Sequence, residues 1–216
     1  MIVPPDSNTI ASPIANQVEN LGANQTIASV EVSSIVFGYR IMDQLSKLEN
    51  ISILEASPAG GGSFWILVSG KKSSSDDLQA IVKTSLDGIG DQAKAHVLDH
   101  ETIETSDHSL LEALYSLSAQ KLEESLLMIE SDSISAVLAA VQFAVRQRPL
   151  KMIEIKISRG SRSGGHAFLT GSRSACELGG EAARTKLKTR MSRGFVEVIG
   201  APNEVFRQQF NFSGEA

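Results

Sequence analysis

The side chains best suited to chemistry in this sequence lie in a glycine-rich turn near residue 160. The turn reads RGSRSGGH and carries two arginines and one histidine among small residues. Guanidinium groups bind carboxylates and phosphates, and the exposed backbone amides of a glycine-rich turn add further anion donors. The side chains of this turn are chemically suited to contact anions. The segment comprises Arg159, Gly160, Ser161, Arg162, Ser163, Gly164 and Gly165, followed by His166 at the start of the next predicted strand.

This turn does not match a nucleotide-binding loop. A P-loop ends in Gly-Lys-Ser/Thr and leads into a helix, whereas here no such lysine follows and the alternating residues on both sides predict strands. Without a helix N-terminus there is no macrodipole to hold a phosphate. The formal net charge is −5 for the whole chain and +4 for residues 121–216, far below that of a typical nucleic-acid-binding protein. We expect no nucleic-acid partner.

Other groups that could do chemistry are scattered. Histidines and acidic residues alternate over 96–108, but solvated residues of a connecting segment would give the same pattern. Cys176 is the single cysteine, so an intrachain disulfide or a multi-cysteine metal site cannot form. No Ser/His/Asp or Cys/His set is placed for nucleophilic catalysis. We predict no metal, no cofactor and no enzymatic activity.

An internal repeat positions the arginine-containing turn. After a polar tail over 1–25, the order strand, helix, strand, turn, strand, helix, strand runs over 26–120 and again over 121–216. Glu31 and Ser34 match Glu130 and Ser133 at an offset of 99, which becomes 101 beyond the turn. A length change in one loop, with none inside the strands, is how a duplicated fold diverges.

The repeat unit is a β-α-β-β-α-β arrangement, the split βαβ pattern of ferredoxin-like α+β folds. In the first copy the periodicity predicts a helix over 34–48, capped by Ser33 or Ser34, and strands over 26–32, 51–56, 63–70 and 94–98. Two helices cover one face of such a sheet. The other face must find a partner or stay polar.

The chain shows no sign of secretion or membrane insertion. Its first residues, MIVPPDSNTIASPIANQ, lack the basic and apolar regions of a signal peptide. No apolar run approaches the roughly 18 residues that a membrane helix needs. We therefore expect no membrane partner.

Taken together, these patterns resemble the bacterial microcompartment domain. The first copy shows SVEV-SSIVFGYRIMDQLSKLENISILEA-PAGGG-SFWILVSG, and the second shows LLMIES-DSISAVLAAVQFAVRQRPLKMIEI-GSRSGG-HAFLTG-SRSACELGGEAA. Two copies in one chain resemble the tandem shell proteins that form trimers. The element order is unpermuted, unlike that of the tandem shell protein of ethanolamine compartments, although HAFLTGSRSAC is similar to a segment of that protein.

The resemblance implies a structural subunit of a microcompartment shell in the cytoplasm. The chain would form a homotrimer with a pseudohexameric outline that contacts other shell proteins edge to edge. The hairpin between the second and third strands of each copy would line a central pore for small metabolites. In the first copy that hairpin is neutral and consists of Pro58, Ala59, Gly60, Gly61, Gly62 and Ser63.

The charge of this pore has two interpretations. Two arginines on each of three chains would favour small anionic metabolites. Alternatively, one arginine folds back to pair with Glu154 or Glu55 and leaves the opening less charged. Some relatives bind an iron–sulfur cluster at this axis through a pore cysteine. Neither hairpin contains a cysteine here, so no cluster is expected.

The resemblance also assigns two residues to the tile edge. The family places a lysine near the end of the first helix, and Lys47 matches it. Arg146 stands at that position in the second copy, a departure that keeps the charge but not the ammonium geometry. The alternative is a solvated helix C-terminus, where a cation interacts favourably with the helix dipole. The usual small residues of the first helix are also replaced, by Phe37, Tyr39 and Arg40.

A second class of function fits the same repeat. A pair of ferredoxin-like domains also forms small-molecule sensor or regulatory domains. That interpretation predicts a closed ligand pocket between the copies and a monomer or dimer, whereas the shell interpretation predicts a trimer.

Overall fold

The computed structural model describes residues 26–49, 51–70, 75–104, 108–159 and 164–212. The tail over 1–25 lies outside these ranges. The first copy consists of β1 (Thr26–Val32), α1 (Ile35–Ser46), β2 (Ile51–Pro58), β3 (Phe64–Gly70), α2 (Ser75–Gly88), α3 (Asp91–Lys94), β4 (Val97–Glu104) and α4 (Ser109–Leu114). The second consists of β5 (Ser125–Ser131), α5 (Ile134–Gln147), β6 (Lys151–Ile157), β7 (Gly165–Gly171), α6 (Arg173–Thr189), β8 (Gly194–Gly200) and α7 (Glu204–Phe212).

The strands form two antiparallel sheets with the same topology. Sheet 1 has the order β2-β3-β1-β4, and sheet 2 has the order β6-β7-β5-β8. Each sheet carries the same irregularity, because the register shifts between Ile53 and Glu55 and again between Met152 and Glu154. These positions are 99 residues apart, as the sequence repeat requires. The predicted duplication of a ferredoxin-like fold is confirmed.

The first helix of each copy begins at the predicted serine. Ser34 Oγ accepts a hydrogen bond from Phe37 N at 3.5 Å, and Ser133 Oγ accepts one from Ala136 N at 3.0 Å. Both serines have extended backbone angles, which is typical of residues that cap a helix N-terminus. The equivalent caps fix where each first helix leaves its strand.

One apolar core lies between sheet 1 and its own helices. Alternate residues of β1 point toward it, and they pack with residues of β3 and of helices α1 and α2. Its fully or almost fully buried members include Ala28, Val30, Val32, Ile66, Val68, Ile41, Leu45, Leu78 and Val82. Gly38 of α1 allows close packing on β3, because a Cβ there would lie 2.3 Å from Phe64 Cγ.

A second core joins the two copies. Ile27, Trp65 and Leu67 lie on the other face of sheet 1, and all three are fully buried together with residues of the second copy. Helix α5 contacts strands of both sheets and has an unbroken buried run over 134–141. The face of sheet 1 that its own helices leave open is therefore covered by the first helix of the second copy.

The last strand of the first copy differs from the prediction. The sequence predicted a strand over 94–98, whereas Asp91–Lys94 is a short helix and β4 runs over Val97–Glu104. The polar residues Asp99 and Glu101 made this segment resemble a linker. They form a strand because Arg190 of the second copy forms ion pairs with both carboxylates.

The described helices include none that is both long and apolar enough to cross a lipid bilayer.

Candidate pore hairpins and the faces between copies

The first glycine-rich hairpin contacts the base of the second. Gly60 N in the first hairpin donates a hydrogen bond of 2.9 Å to Ser158 O in the second. Within the first hairpin, Ala59 N donates to Ser63 O at 2.9 Å, and Ser63 Oγ donates to Gly60 O at 2.6 Å. Gly61 and Gly62 have φ values of 68° and 78°, a left-handed conformation that glycine adopts without a Cβ penalty. The first hairpin therefore contacts the base of the second, about a hundred residues away along the chain.

Arg159 takes the second of the two arrangements left open by the sequence. Its guanidinium lies 3.0 Å from Glu55 Oε1, and the Ser57 hydroxyl donates to the same carboxylate oxygen at 3.0 Å. Glu154 pairs instead with Lys156 at 2.7 Å. The ion pair joins the second hairpin to β2 of the first copy. Part of the positive charge of the turn is thereby balanced.

The rest of the second hairpin is described only at its base. Gly160, Ser161, Arg162 and Ser163 lie outside the described residues. Gly164 has a φ of 108°, and a Cβ there would lie 2.1 Å from Ser131 O. A Cβ on Gly165 would lie 2.5 Å from Lys156 O. Both glycines are therefore required for close backbone packing where the hairpin meets the sheet.

His166 lies in strand β7, as the sequence predicted. Its imidazole is half-buried, stands opposite Glu130 in the register of β5 and β7, and lies 5.0 Å from the ring of Phe168. Burial, the largest cause, lowers the pKa of His166 and Lys156 adds to this, whereas Glu154 and Glu130 act in the opposite direction. The structure thus places His166 with residues of sheet 2 that face away from α5 and α6.

We call that surface of sheet 2 the open face. Its residues are Met128, Glu130, His166, Phe168, Phe195 and Glu197, on three neighbouring strands. Phe195 is 74% exposed, and α7 contributes Phe210, whose ring lies 5.2 Å from that of Phe168. The open face corresponds to the side of sheet 1 that helix α5 covers.

A buried carboxyl group marks the junction where α5 meets sheet 1. Glu31 is 3% exposed, and its Oε1 accepts hydrogen bonds from Ser135 N at 2.6 Å and from Ser133 Oγ at 2.7 Å. Burial is the largest influence on Glu31 and raises its pKa; the hydrogen bonds oppose this, and nearby Asp99 adds to it. Sequence analysis identified Glu31 and Ser133 as repeat positions but did not predict their contact.

Charged side chains surround this junction. Arg190, which directly follows α6, forms ion pairs with Asp99 and Glu101 of β4, and Lys186 of α6 lies 3.2 Å from Glu101. All four side chains are largely buried. The second copy thus holds the first through ion pairs as well as through the shared apolar core.

The two predicted edge residues have different partners. Lys47 pairs with Asp43 of its own helix at 2.5 Å, and both side chains are exposed. Arg146 pairs with Glu104 of the first copy at 2.7 Å. The same helix position therefore makes a local contact in one copy and a contact between copies in the other.

The remaining candidate side chains pack against neighbouring residues or are buried. His96 stacks on Phe37 with ring centroids 4.5 Å apart, and its Nδ1 lies 3.0 Å from Ser33 Oγ. Cys176 is buried, which raises the pKa of its thiol to about 11. Over the described ranges, no three His, Cys, Asp or Glu side chains are grouped so that they could hold a metal ion.

Comparison with solved structures identifies related folds. A microcompartment protein from Desulfitobacterium hafniense DCB is 25% identical with a TM-score of 0.68, and the match covers 86% of this chain and 99% of that one. A fused permuted hexameric shell protein of the RMM microcompartment is 19% identical with a TM-score of 0.55, covering 79% and 87% of the two chains. No family model matches the sequence, and no curated protein matches it significantly.

These matches confirm the resemblance found in the sequence. The first spans both copies of the repeat, so the similarity extends to the tandem arrangement as well as to one domain. The chain has the fold of a microcompartment protein.

Proposed function

We propose that this chain is a structural, non-catalytic subunit of a bacterial microcompartment shell in the cytoplasm. Its fold is similar over both copies to a protein described as a microcompartment protein, and it shares that fold with a shell protein of the RMM microcompartment. Within the described ranges, its buried polar groups at the copy junction make hydrogen bonds and ion pairs that hold the copies together. A role in assembly fits such groups better than a role in catalysis.

Three chains would form the pseudohexameric tile. Helix α5 covers the open side of sheet 1 within the chain, whereas the equivalent open face of sheet 2 exposes Phe195. Helix α1, which corresponds to α5, exposes Val36 and Tyr39. The open face of sheet 2 and helix α1, which could cover the same face of another chain, belong to different copies of the repeat. Such head-to-tail contacts produce rings when the rotation closes.

The contact between Gly60 and Ser158 is the observation that carries the pore proposal. Because the first hairpin contacts the base of the second, three chains would bring six hairpins to a common axis. In this arrangement Ala59 to Ser63 and Arg159 to His166 would line the passage for small metabolites. The pairing of Arg159 with Glu55 balances part of the positive charge that would favour anions.

Tile edges would carry Lys47 and Arg146. In a sheet of tiles these side chains would meet other shell proteins, and the pairs that they form with Asp43 and Glu104 would set their orientation. Exposed ion pairs contribute little to stability, about 0–1 kcal/mol, so their partners could be exchanged on contact with a neighbour.

Light scattering of the purified chain tests the proposed assembly. A trimer has a mass of about 69 kDa, three times the 23.1 kDa of one chain. Negative-stain images should show flat or rounded sheets of tiles. A monomer or dimer that binds a small molecule between the copies would contradict the shell function and would favour the sensor alternative.

A further inference from the structure

We propose that Glu130 of one chain caps helix α1 of a second copy of this chain. Its carboxylate would accept hydrogen bonds from the Ser34 hydroxyl and from the backbone N–H of Val36. This inference rests on the proposed head-to-tail assembly. It identifies the residues that make the contact between chains.

The chain already contains one example of this contact. Glu31 on β1 accepts from the Ser133 hydroxyl at 2.7 Å and from the backbone N–H of Ser135 at 2.6 Å. The Ser29 and Ser135 hydroxyl oxygens, each two residues from Glu31 or Ser133, lie 2.8 Å apart at the same junction. A carboxylate at a helix N-terminus satisfies unpaired N–H groups and interacts favourably with the helix dipole.

The residues that make the contact recur in the other copy. Glu31 and Ser133 correspond to Glu130 and Ser34, so the glutamate and the serine are present at both ends of the chain. The strand register supports the match, because Glu31 stands opposite Trp65 and Glu130 stands opposite His166, the equivalent position of β7. The same donor and acceptor types are therefore available for a second, intermolecular contact.

One side of α1 exposes side chains whose counterparts in α5 are buried. Ser135 and Leu138 of α5 are fully buried at the junction within the chain. Their counterparts in α1, Val36 and Tyr39, are 76% and 51% exposed. Large apolar side chains grouped on one helix face indicate an interaction surface. Among the described residues, no element of the same chain covers this face as sheet 1 covers that of α5.

The residues around the two contacts differ in a matched way. Within the chain, Asp99 on the sheet and Arg190 after α6 form an ion pair. By strand register and by the helix offset of 101, they correspond to Phe195 and Ile89, and both are apolar. Both charged residues of the ion pair are thus replaced by apolar residues at the equivalent positions. Ile89 is already buried in the first core, whereas Phe195, at 74% exposure, is the apolar side chain that a docked second copy would cover.

Cysteine pairs test the proposed geometry directly. Met128 and Val36 correspond to Ser29 and Ser135, whose side-chain oxygens are 2.8 Å apart, a separation compatible with a disulfide after substitution. Mild oxidation of the M128C/V36C double variant should link chains covalently into species no larger than a trimer. Cys176 should not compete, because it is buried.

Two further variants serve as matched controls. S29C/S135C should form its disulfide within one chain, so the covalent mass should stay that of a monomer. M128C/Q44C should give no link, because Gln44 corresponds to Phe143, which remains 37% exposed on α5 away from the junction. Linking by M128C/Q44C at the same rate as by M128C/V36C would overturn the proposed register.

Removal of the cap tests its chemistry. E130A and S34A should each raise the concentration at which the trimer dissociates by about tenfold, and the double variant by little more, because both remove the same contact. E181A, which changes an exposed glutamate on α6, should leave assembly unchanged. Circular dichroism establishes that each variant remains folded.

The outcomes separate the two proposals. A wild-type trimer that gives no M128C/V36C link, or that is unaffected by both E130A and S34A, overturns the cap and leaves the shell function standing. A wild-type chain that stays monomeric at high concentration, together with an M128C/V36C variant that forms no link, overturns both the cap and the proposed assembly. Covalent trimers together with non-additive losses support the cap.

Discussion

At the residue scale, the Ser133 hydroxyl connects two carboxyl groups. Ser133 Oγ lies 2.7 Å from Glu31 Oε1 and 2.6 Å from Asp99 Oδ2, but a hydroxyl has a single proton to donate. Both hydrogen bonds form only when one of the two carboxyls is protonated. Glu31 is the buried member of the pair, and burial raises its pKa. Proton binding is therefore linked to the contact between the copies.

The Glu31→Gln substitution measures this linkage. A carboxyl whose pKa is raised by folding binds its proton more tightly in the folded state. Its contribution to stability is then present at low pH and is lost as the pH rises through the raised pKa. Glutamine keeps an oxygen acceptor for Ser135 N but does not titrate. The free energy of unfolding of the wild type, relative to the variant, should fall in urea titrations as the pH rises above the ordinary range of a glutamate pKa.

The exposed Glu181→Gln variant controls for general charge effects. The difference in the free energy of unfolding between this variant and the wild type should change little over the same pH range. A Glu31→Gln difference that is equally constant would show that Glu31 titrates alike in the folded and unfolded states.

The ion pair between Arg159 and Glu55 allows a test of anion preference at the hairpins. Glu55→Gln leaves Arg159 without its counter-charge, so inorganic sulfate should bind the protein several-fold more tightly. Arg159→Ala should weaken sulfate binding, and added sodium chloride should reduce the difference by screening. Lys47→Ala removes an exposed charge elsewhere and serves as the control. Isothermal titration calorimetry that shows equal affinities for all variants would argue against an anion site here.

At the scale of elements, local patterns predicted most of the fold. The strands, the serine caps and the length change between the hairpins followed from alternation, capping chemistry and the repeat. β4 was misjudged because Asp99 and Glu101 are stabilised by Arg190, about ninety residues away. His166 was predicted to open a strand, and it lies in β7, but its position opposite Glu130 of β5 did not follow from the local pattern. Contacts between distant segments leave no local periodicity to detect.

The packing of α1 on β3 depends on a glycine that the repeat does not require. Gly38 corresponds to Val137, but a Cβ on Gly38 would lie 2.3 Å from Phe64 Cγ. Alanine usually stabilises a helix interior by roughly 0.5–1 kcal/mol relative to glycine. Here the fully buried Phe64 would have to move against the Tyr39 ring 4.7 Å away, so overpacking should cost about 1–3 kcal/mol.

Gly38→Ala should therefore lower the thermal unfolding midpoint. Gly88→Ala is the matched control, because nothing lies within 4 Å of a Cβ at the end of α2, so that its midpoint should stay the same or rise slightly. Differential scanning calorimetry compares the two. A Gly38→Ala midpoint equal to or above that of Gly88→Ala would show that β3 accommodates the methyl group.

At the scale of the whole molecule, the repeat does not divide the chain into two independent units. The core that contains Trp65, Leu67 and Ile103 of the first copy also contains most of the buried residues of the second. Helix α5 belongs to the second copy by sequence and covers sheets of both. Separation of the copies would expose one face of sheet 1, together with the buried carboxyl of Glu31.

Unfolding should therefore be one cooperative transition. Trp65 is the only tryptophan, is fully buried, and donates from Nε1 to Ser29 Oγ at 2.8 Å, so its fluorescence reports on the first copy at the junction. Leu138→Ala removes a fully buried side chain from α5 in the second copy and should cost about 2–5 kcal/mol. At fixed protein concentration, the urea midpoints by Trp65 fluorescence and by far-ultraviolet circular dichroism should coincide and should fall together in this variant.

Separate midpoints, with the fluorescence transition unmoved by Leu138→Ala, would mean that the first copy folds without its partner helix. The open face of sheet 2 would then need no second chain to cover it, since the equivalent face of sheet 1 would be stable uncovered.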